Sequence, residues 1–375
     1  VRPGQRERVR RPRKANPPDF GIMISVMSLV GVGLVMIFSA STTKTFVNIG
    51  DPYYYLKRQA LWSVLGVAGM LVAANFDYWR LRPMAKFILG VSIFLLLVVL
   101  IPGVGQGPSG TKRWIDFGFT RFQPSELQKL ALCIFLAYLL SQPGRSRSFR
   151  FGIVPVVALA GVVFGLILLQ PDLGTAVACG LTIAAVLFVA GANLWHLAGL
   201  AIASVPVMYF AIFSAEYRRQ RFLAFLNPWA DPLDTGFHII QSLYALGSGG
   251  LFGLGLGEGR QKFFYLPEQH TDFIFAVIGE ELGFIGTAAV VALFAFLAWR
   301  GYRIAVRAPD AFGCLLAAGI TSMIVLQAAV NVGVVTASIP VTGIPLPFVS
   351  FGGSSLLFSM TGVGILLNIS RHQAA

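Results

Sequence analysis

Asp272 closes a polar run, Tyr265 to Thr271, that carries Glu268 and His270 and turns directly into the apolar sequence from Phe273 onward. A carboxylate at such a boundary is costly to move into hydrocarbon. It is well placed to act on a substrate whose head is wet and whose tail is lipid. A carboxylate there can serve as a base, or organise one. Position works against that role, because a helix N-terminus favours the ionised carboxylate and lowers its basicity. Partial desolvation would restore it.

Lys112, Arg113 and Trp114 form a second candidate group, beside Gly105, Gly107 and Gly110. Two adjacent cations suit a phosphate or pyrophosphate, and an indole beside them can stack on a sugar face. The same trio also reads as an interfacial anchor. Glu126 and Lys129 follow Pro124, which is placed to open a helix, and at i,i+3 they share a face. Glu126 in a first turn is favoured by the helix dipole alone. Lys129 lies roughly 8 Å inside the helix start, so it should face an acid or a polar cavity. Glu280 and Glu281 fall roughly 12 Å beyond Asp272, where buried carboxylates must be paired, protonated or cavity-lining. Along the same stripe Ala276, Gly279 and Gly283 form a small-residue face open to close approach by a helix or lipid chain.

Two segments are dense in helix breakers. Gly253 to Gly259 has glycine at every second position, but neither a preceding strand nor a GK[ST] ending, so a hinge is expected rather than a nucleotide loop. Asn331 to Ser355 mixes Pro340, Pro345 and Pro347 with Gly343, Gly352 and Gly353, which predicts a broken helix facing the Asp272 cavity, or a packing kink. Cys133, Cys179 and Cys314 sit in separate apolar stretches and the four histidines are scattered, so no protein-built metal site is expected.

The elements that must carry these residues are apolar. With 56% hydrophobic and 12% charged residues over 375 positions, the chain is an integral membrane protein. About ten stretches have spanning length: 20–40, 56–75, 84–101, 124–141, 152–169, 173–190, 194–214, 272–299, 312–332 and 343–369. The expected class is an all-α integral membrane protein of about ten transmembrane helices with a large extracytoplasmic loop, 215–271, between the seventh and eighth. That loop reads as an interfacial helix, a second short helix and the glycine hinge, packed over the outer face. Residues 1–19 form a basic cytoplasmic arm, 20–370 the membrane domain and 371–375 a short cytoplasmic tail. Arg80, Arg82, Lys86, Arg145, Arg147, Arg150, Arg300, Arg303, Arg307 and Arg371 then all fall on the inner side, as the positive-inside bias requires. The net charge of +13 thus speaks of orientation and an anionic inner leaflet, not of nucleic acid.

Taken together, Lys112 to Asp116, Phe122 to Glu126, Gln170 to Thr175, Asn227 to Pro232, Ile240 to Ser242, Tyr265 to Phe275, Glu280 to Gly283 and Pro340 to Ser355 resemble the SEDS family of bacterial shape, division and sporulation proteins. The resemblance covers all ten spans. Asn227-Pro-Trp, Gly253 to Gly257 and Gln261 to Glu268 are similar to its FtsW and SpoVE branch rather than to RodA. Phe351 stands where that family often has Tyr, and Ala337 where Gly is common.

The resemblance implies a peptidoglycan glycosyltransferase that polymerises lipid II at the outer face of the bacterial cytoplasmic membrane; the basic N-terminal flank and the ten spans put both termini in the cytoplasm. It implies a single-span class B penicillin-binding protein and other division-machinery proteins as partners. Asp272 matches the family's essential aspartate, and Trp114, Glu126 and Lys129 match its important Trp, Glu and Lys. Lys112, Arg113, Arg218, Arg219, Arg221, Arg260 and Lys262 supply cations for pyrophosphate, with His270 and Ser354 completing the candidate substrate-binding set and a divalent ion, Mg2+ or Mn2+, left open. A lipid flippase or transporter, or a scaffold for the division machinery, is the alternative. A flippase needs polar residues continuing to the inner side, whereas Lys129, Glu280 and Glu281 reach only to mid-depth.

Overall fold

A computed structural model of the chain describes residues 16–107, 111–118, 120–146, 148–261 and 266–373, apart from the side chains of 43, 44, 48 and 49. Most of the basic arm, Gly110, Arg147, Lys262 and the last two residues lie outside the described residues. The fold is an all-α membrane bundle. Ten long helices run back and forth: α1 (Phe20–Ile49), α2 (Tyr54–Asn75), α3 (Leu81–Val98), α4 (Pro124–Leu140), α5 (Val154–Leu169), α6 (Leu173–Val189), α7 (Leu194–Phe213), α10 (Ile274–Val306), α11 (Ala311–Val335) and α12 (Gly353–Arg371). Between α7 and α10 lie the short helices α8 (Glu216–Leu226) and α9 (Phe237–Gly249).

Seven of the long helices are apolar and long enough to cross a membrane by themselves; α6 is apolar but shorter, and α2 and α4 complete the expected ten. Apolar runs in lipid become helices because each backbone group must find its partner within the segment. Their ends are fixed by caps: Asp19, Asp172, Asn193 and Asp310 accept from the first turns of α1, α6, α7 and α11, and Pro124 opens α4. α11 and α12 are buried along most of their length and form the centre, whereas α7 lies at the periphery with Ala211 as its one buried residue.

One end of the bundle is closed by a salt bridge and by caps. Asp19 pairs with Arg300 at 2.7 Å, and the Asn16 amide donates to the Arg371 carbonyl at 2.8 Å. The opposite end carries the candidate residues, and three segments there depart from expectation. Loop 102–123 contains a three-stranded antiparallel sheet of β1 (Gly105–Gln106), β2 (Trp114–Asp116) and β3 (Arg121–Phe122), with Gln106 opposite Trp114 and Asp116 opposite Arg121. The last span is shorter than expected. Residues 336–352 are not helical, as the breakers between Asn331 and Ser355 predict, and α12 starts only at Gly353. This stretch lies directly on α1 and α6: a Cβ on Gly33 would stand 2.8 Å or less from the Phe348 and Val349 carbonyls, and one on Gly174 would stand 2.4 Å from that of Thr342.

The third departure is the glycine run. It is not a hinge over the outer face but a plug in α10. That helix breaks at Gly283, with φ 67° and ψ −165°. The groups freed by the break are taken up by the loop: Leu254 and Gly255 amides donate to the Glu280 and Glu281 carbonyls (both 3.0 Å), while Phe284 and Ile285 amides donate to the Gly250 and Leu251 carbonyls (2.9 and 3.2 Å). Gly253 has a left-handed φ of 82° and sits where a Cβ would be 2.1 Å from the Glu281 carbonyl. No other residue fits there without moving the helix.

Candidate active site at the rim of the bundle

Asp272 lies one residue before Phe273, the N-cap of α10, which makes no side-chain cap bond. Its backbone is pinned from the non-helical stretch and from α11. Asn331 Nδ2 donates to its carbonyl at 2.7 Å, Ser350 Oγ to that of Thr271 at 2.6 Å, and the Phe351 amide to that of His270 at 2.9 Å. The carboxylate itself has no hydrogen-bond partner among the described residues. Beside it stands Gly343, where a Cβ would be 3.5 Å from Oδ2.

Burial therefore pushes the Asp272 carboxyl up to about 7; Glu268 and Asp172 add to the rise, and Arg221 and Arg113 oppose it. The residue keeps a partly open side, but the carboxyl is enclosed by neighbouring segments. The lowering expected from the helix N-terminus is outweighed because the group sits beneath a folded cover rather than at an open cap. That is the condition under which a carboxylate can take a proton near neutral pH.

The other candidates fall into three groups. Arg113, just before β2, reaches the turn between α5 and α6, donating from Nε to the Gln170 carbonyl at 3.2 Å and from Nη2 to that of Pro171. Tyr217 of α8 donates to the same Pro171 carbonyl at 3.3 Å. Asp172 in that turn accepts from the Thr175 amide (3.1 Å) and from Gln123 Nε2 (3.5 Å). The turn thereby joins the sheet, α8 and α4 around Asp272. Arg221 and Arg218 flank the Tyr217 ring at 6.0 and 5.5 Å. Arg221 acts on the Asp272 carboxyl, while Arg218 donates to the Ala211 carbonyl at 2.5 Å. Lys112 Nζ lies 3.5 Å from the Leu100 carbonyl. Trp114 is half-buried on β2, between the other two strands.

Glu126 and Lys129 form a buried pair at 2.9 Å, and Lys129 also reaches Gln327 Oε1 at 2.5 Å. Gln327 Nε2 in turn donates to the Pro345 carbonyl at 2.9 Å. The ammonium is thus tied through α11 to the stretch that covers Asp272. His270 is buried, its ring 4.3 Å from that of Tyr55 and 5.9 Å from that of Phe351. Ser354 Oγ accepts from the Gln123 amide at 3.1 Å and faces the Arg121 carbonyl at 3.4 Å, so it fastens the strand-to-helix junction before α4. Lys262 lies outside the described residues.

Gln327 and Asn331, which complete this construction, are not among the residues singled out from the sequence. Each nevertheless carries a signal there, as a buried amide in an otherwise apolar helix, where a polar group must have a partner. Among the described residues no three His, Cys, Asp or Glu side chains are placed together to hold a metal ion.

A multi-pass helical bundle with a desolvated carboxylate at its rim, in the field of two arginines, is a membrane protein with a candidate acid–base site at one surface. Comparison with known proteins narrows this class. The family model described as "Cell cycle protein", FTSW_RODA_SPOVE, matches residues 21–375, and the chain belongs to that family. The stage V sporulation protein E of Bacillus subtilis is 48% identical over 360 residues, 96% of this chain and 98% of that protein. The probable peptidoglycan glycosyltransferase FtsW of Geobacter metallireducens is 45% identical over 355 residues, 94% of this chain and 95% of its own. A chain from the structure titled "Structural coordination of polymerization and crosslinking by a peptidoglycan synthase complex" aligns with TM-score 0.77 and 31% identity, over 94% of this chain and 98% of that one. The rod shape determining protein RodA of Thermus thermophilus aligns with TM-score 0.71 and 30% identity, over 95% and 98%.

Proposed function

We propose that this chain is a peptidoglycan glycosyltransferase that polymerises lipid II into β-1,4-linked glycan strands, in cell division or sporulation. The observation that carries the reading is the Asp272 carboxyl, raised to about 7, without a hydrogen-bond partner among the described residues, and in the field of Arg113 and Arg221. The names of the FtsW relatives and of the solved synthase complex support it.

The acceptor sugar 4-hydroxyl attacks the anomeric carbon of the donor. Its proton passes to Asp272 as the new carbon–oxygen bond forms. The bond to the leaving undecaprenyl pyrophosphate breaks with its electron pair, and the configuration inverts. Arg113 and Arg221, whose charges act on Asp272, are assigned to the departing pyrophosphate, with Lys112 as a further cation of the same loop as Arg113. Trp114 offers a sugar face its indole, and the Glu126–Lys129–Gln327 chain holds the cover in register with α4. A Mg2+ or Mn2+ ion carried by the substrate pyrophosphate would add to the neutralisation of that charge, and no step is routed through it.

In this reading the Asp272 end faces outward from the cytoplasmic membrane and the Asp19–Arg300 end faces the cytoplasm. The partner is a class B penicillin-binding protein, a transpeptidase that would cross-link the strands made here. The solved neighbour, whose title couples polymerization to crosslinking, supports that pairing.

The test is polymerisation of lipid II by the purified chain, alone and with such a partner. The wild type should yield polymer, and Asp272→Asn, folded to the same extent, should lose about 10²–10⁴-fold, the usual worth of a positioned base. Equal polymer from both would remove Asp272 from the chemistry. No polymer from the wild type under either condition would move the reading to transport or scaffolding.

A further inference from the structure

Glu280 and Glu281 are each 1% exposed, and the mechanism above uses neither. Each is engaged by the glycine loop. Glu280 Oε1 accepts from the amides of Arg260 (2.7 Å) and Gln261 (3.2 Å), and Glu281 Oε2 accepts from that of Gly257 (3.1 Å). Ser39 of α1 donates to Glu281 at 2.7 Å. Together with the backbone bonds at the Gly283 break, these carboxylates supply acceptors to the amides of 254, 255, 257, 260 and 261.

The depth of this arrangement matters. The break at Gly283 lies well inside α10, which begins at Ile274. At the helical rise per residue that separation is roughly 14 Å. The residues just past the break, Phe284 and Ile285, are exposed on the lipid-facing surface. Leu251, Phe252 and Leu256 of the loop are exposed as well. Irregular backbone at membrane depth survives only where its polar groups are satisfied by protein. Here two side chains and one broken helix meet that demand.

We infer that residues 250–261 form a re-entrant loop in the leaflet nearest the site, and that Glu280 and Glu281 are positioning residues that pin it and so fix the chain leading to Asp272. Both ends of that chain are tied. Gln261 is held by Glu280, and the Leu266 amide donates back to the Gln261 carbonyl at 2.9 Å. Further on, Gln269 Nε2 donates to the Ala40 carbonyl of α1 at 2.6 Å, and residues 270–272 are tied to α11 and the cover as described. Loss of the first tie leaves the approach to Asp272 anchored at one end only.

The inference rests on the polymerase reading for its kinetic arm, but its structural arm does not need activity. Hydrogen exchange on the full-length protein in nanodiscs reads the loop amides directly, beside lipid II polymerisation by the same samples. Glu280→Gln keeps an acceptor and should keep the loop protected and more than half the polymerisation. Glu280→Met keeps the length without the acceptor; its loop amides should exchange about tenfold faster or more, with polymerisation down by a similar factor. Gly253→Ala, which leaves both carboxylates in place but crowds the loop out of the break, should resemble Glu280→Met. Rapid exchange of 254–261 in the wild type would overturn the re-entrant loop whatever the activity. A Glu280→Gln protein that is inactive with its loop protected would make the carboxylate chemical instead, and full turnover with a loosened loop would remove the positioning role. If the wild type itself makes no polymer, the polymerase reading fails while the exchange data still decide the loop.

Discussion

Two layers of the same bundle treat their carboxylates in opposite ways. At the rim, Asp272 is desolvated and has no hydrogen-bond partner among the described residues. One layer down, Glu126 is paired with Lys129, and Glu280 and Glu281 accept from backbone amides of a folded loop. A buried carboxylate with donors is structure; one without donors is a destabilised group whose proton affinity is available for work. Backbone strain follows the same division. Of the four non-glycine residues at positive φ among the described residues, Glu268, Ala337 and Phe348 (49°, 54° and 66°) lie in the two segments that meet at Asp272, and Pro171 (30°) lies in the turn that Arg113 contacts. Such strain persists only where surrounding packing imposes it, and it gathers at functional sites.

The largest effect that tests this contrast is the loss of polymerisation in Asp272→Asn set out above, and its pH dependence sharpens it. The base must be ionised, so the wild-type rate should fall as pH drops, with a half-maximal point near 7 rather than near the ordinary 3.8. Glu268, Asp172, Arg221 and Arg113 are the charges that set this point. Glu268→Gln, by removing a neighbouring negative charge, should move it downward. An acid limb that stays near 4 in the wild type would mean that Asp272 is hydrated in the working protein.

Next in size is the lower layer. Breaking a buried ion pair leaves an uncompensated charge and costs roughly 3–5 kcal/mol, whereas removing both partners costs far less. Glu126→Gln and Lys129→Met should therefore each lower the thermal midpoint in detergent by several degrees. The double variant should recover most of the loss. Additive losses would break the comparison, because they would mean that the two groups are not acting as a pair.

Opposite in sign is the stability of Asp272→Asn. A carboxyl whose folded pKa lies above its unfolded one leaves stability untouched at low pH. As pH rises from about 4 to about 7 the unfolded chain ionises first, and stability falls. The Asn variant escapes that cost. It should be more stable than wild type by about 1–3 kcal/mol at pH 8, after allowance for the open side of the group, with the advantage gone near pH 4. Melting curves of the two proteins at both pH values measure it. A variant less stable than wild type at pH 8 would place Asp272 with the structural acids below it.

Most of the bundle is legible in the sequence because hydrophobicity dictates it. The ten spans, apart from the start of the last, and the Pro124 start of α4 follow from runs of apolar residues and their breakers, while the short helices of the 215–271 segment follow from an Arg-rich aromatic stretch and a short apolar run. Asp272 is legible too, as an acid at an abrupt boundary, and so is the buried partner that Lys129 requires. What is not legible depends on tertiary contact. The glycine run reads as a hinge when only its own flexibility is considered, since nothing local shows that Gly283 breaks a helix well downstream of it in sequence. Residues 343–352 are apolar enough to read as a span, but Gly33 and Gly174 on other helices admit the non-helical chain there. The pKa of Asp272 depends on burial beside the 336–352 stretch, which is held there by Asn331 of α11, so helix position alone points in the wrong direction.

The smallest effect concerns that cover directly. Ala337 stands where the resembling family commonly has glycine, and its φ of 54° is left-handed. Its amide donates to the Val334 carbonyl at 3.0 Å and closes the end of α11, so the conformation is held by the turn and not by the side chain. Left-handed backbone costs an alanine roughly 1–2 kcal/mol that glycine does not incur, against which glycine gives more freedom to the unfolded chain. Ala337→Gly should then stabilise the protein by about 1 kcal/mol or less, with polymerisation unchanged. A rise in thermal midpoint with equal turnover would assign the strain at this position to the turn alone. A rise accompanied by loss of turnover would make the strained closure part of how Asp272 is held, and would carry the contrast between the two layers from charge into the backbone.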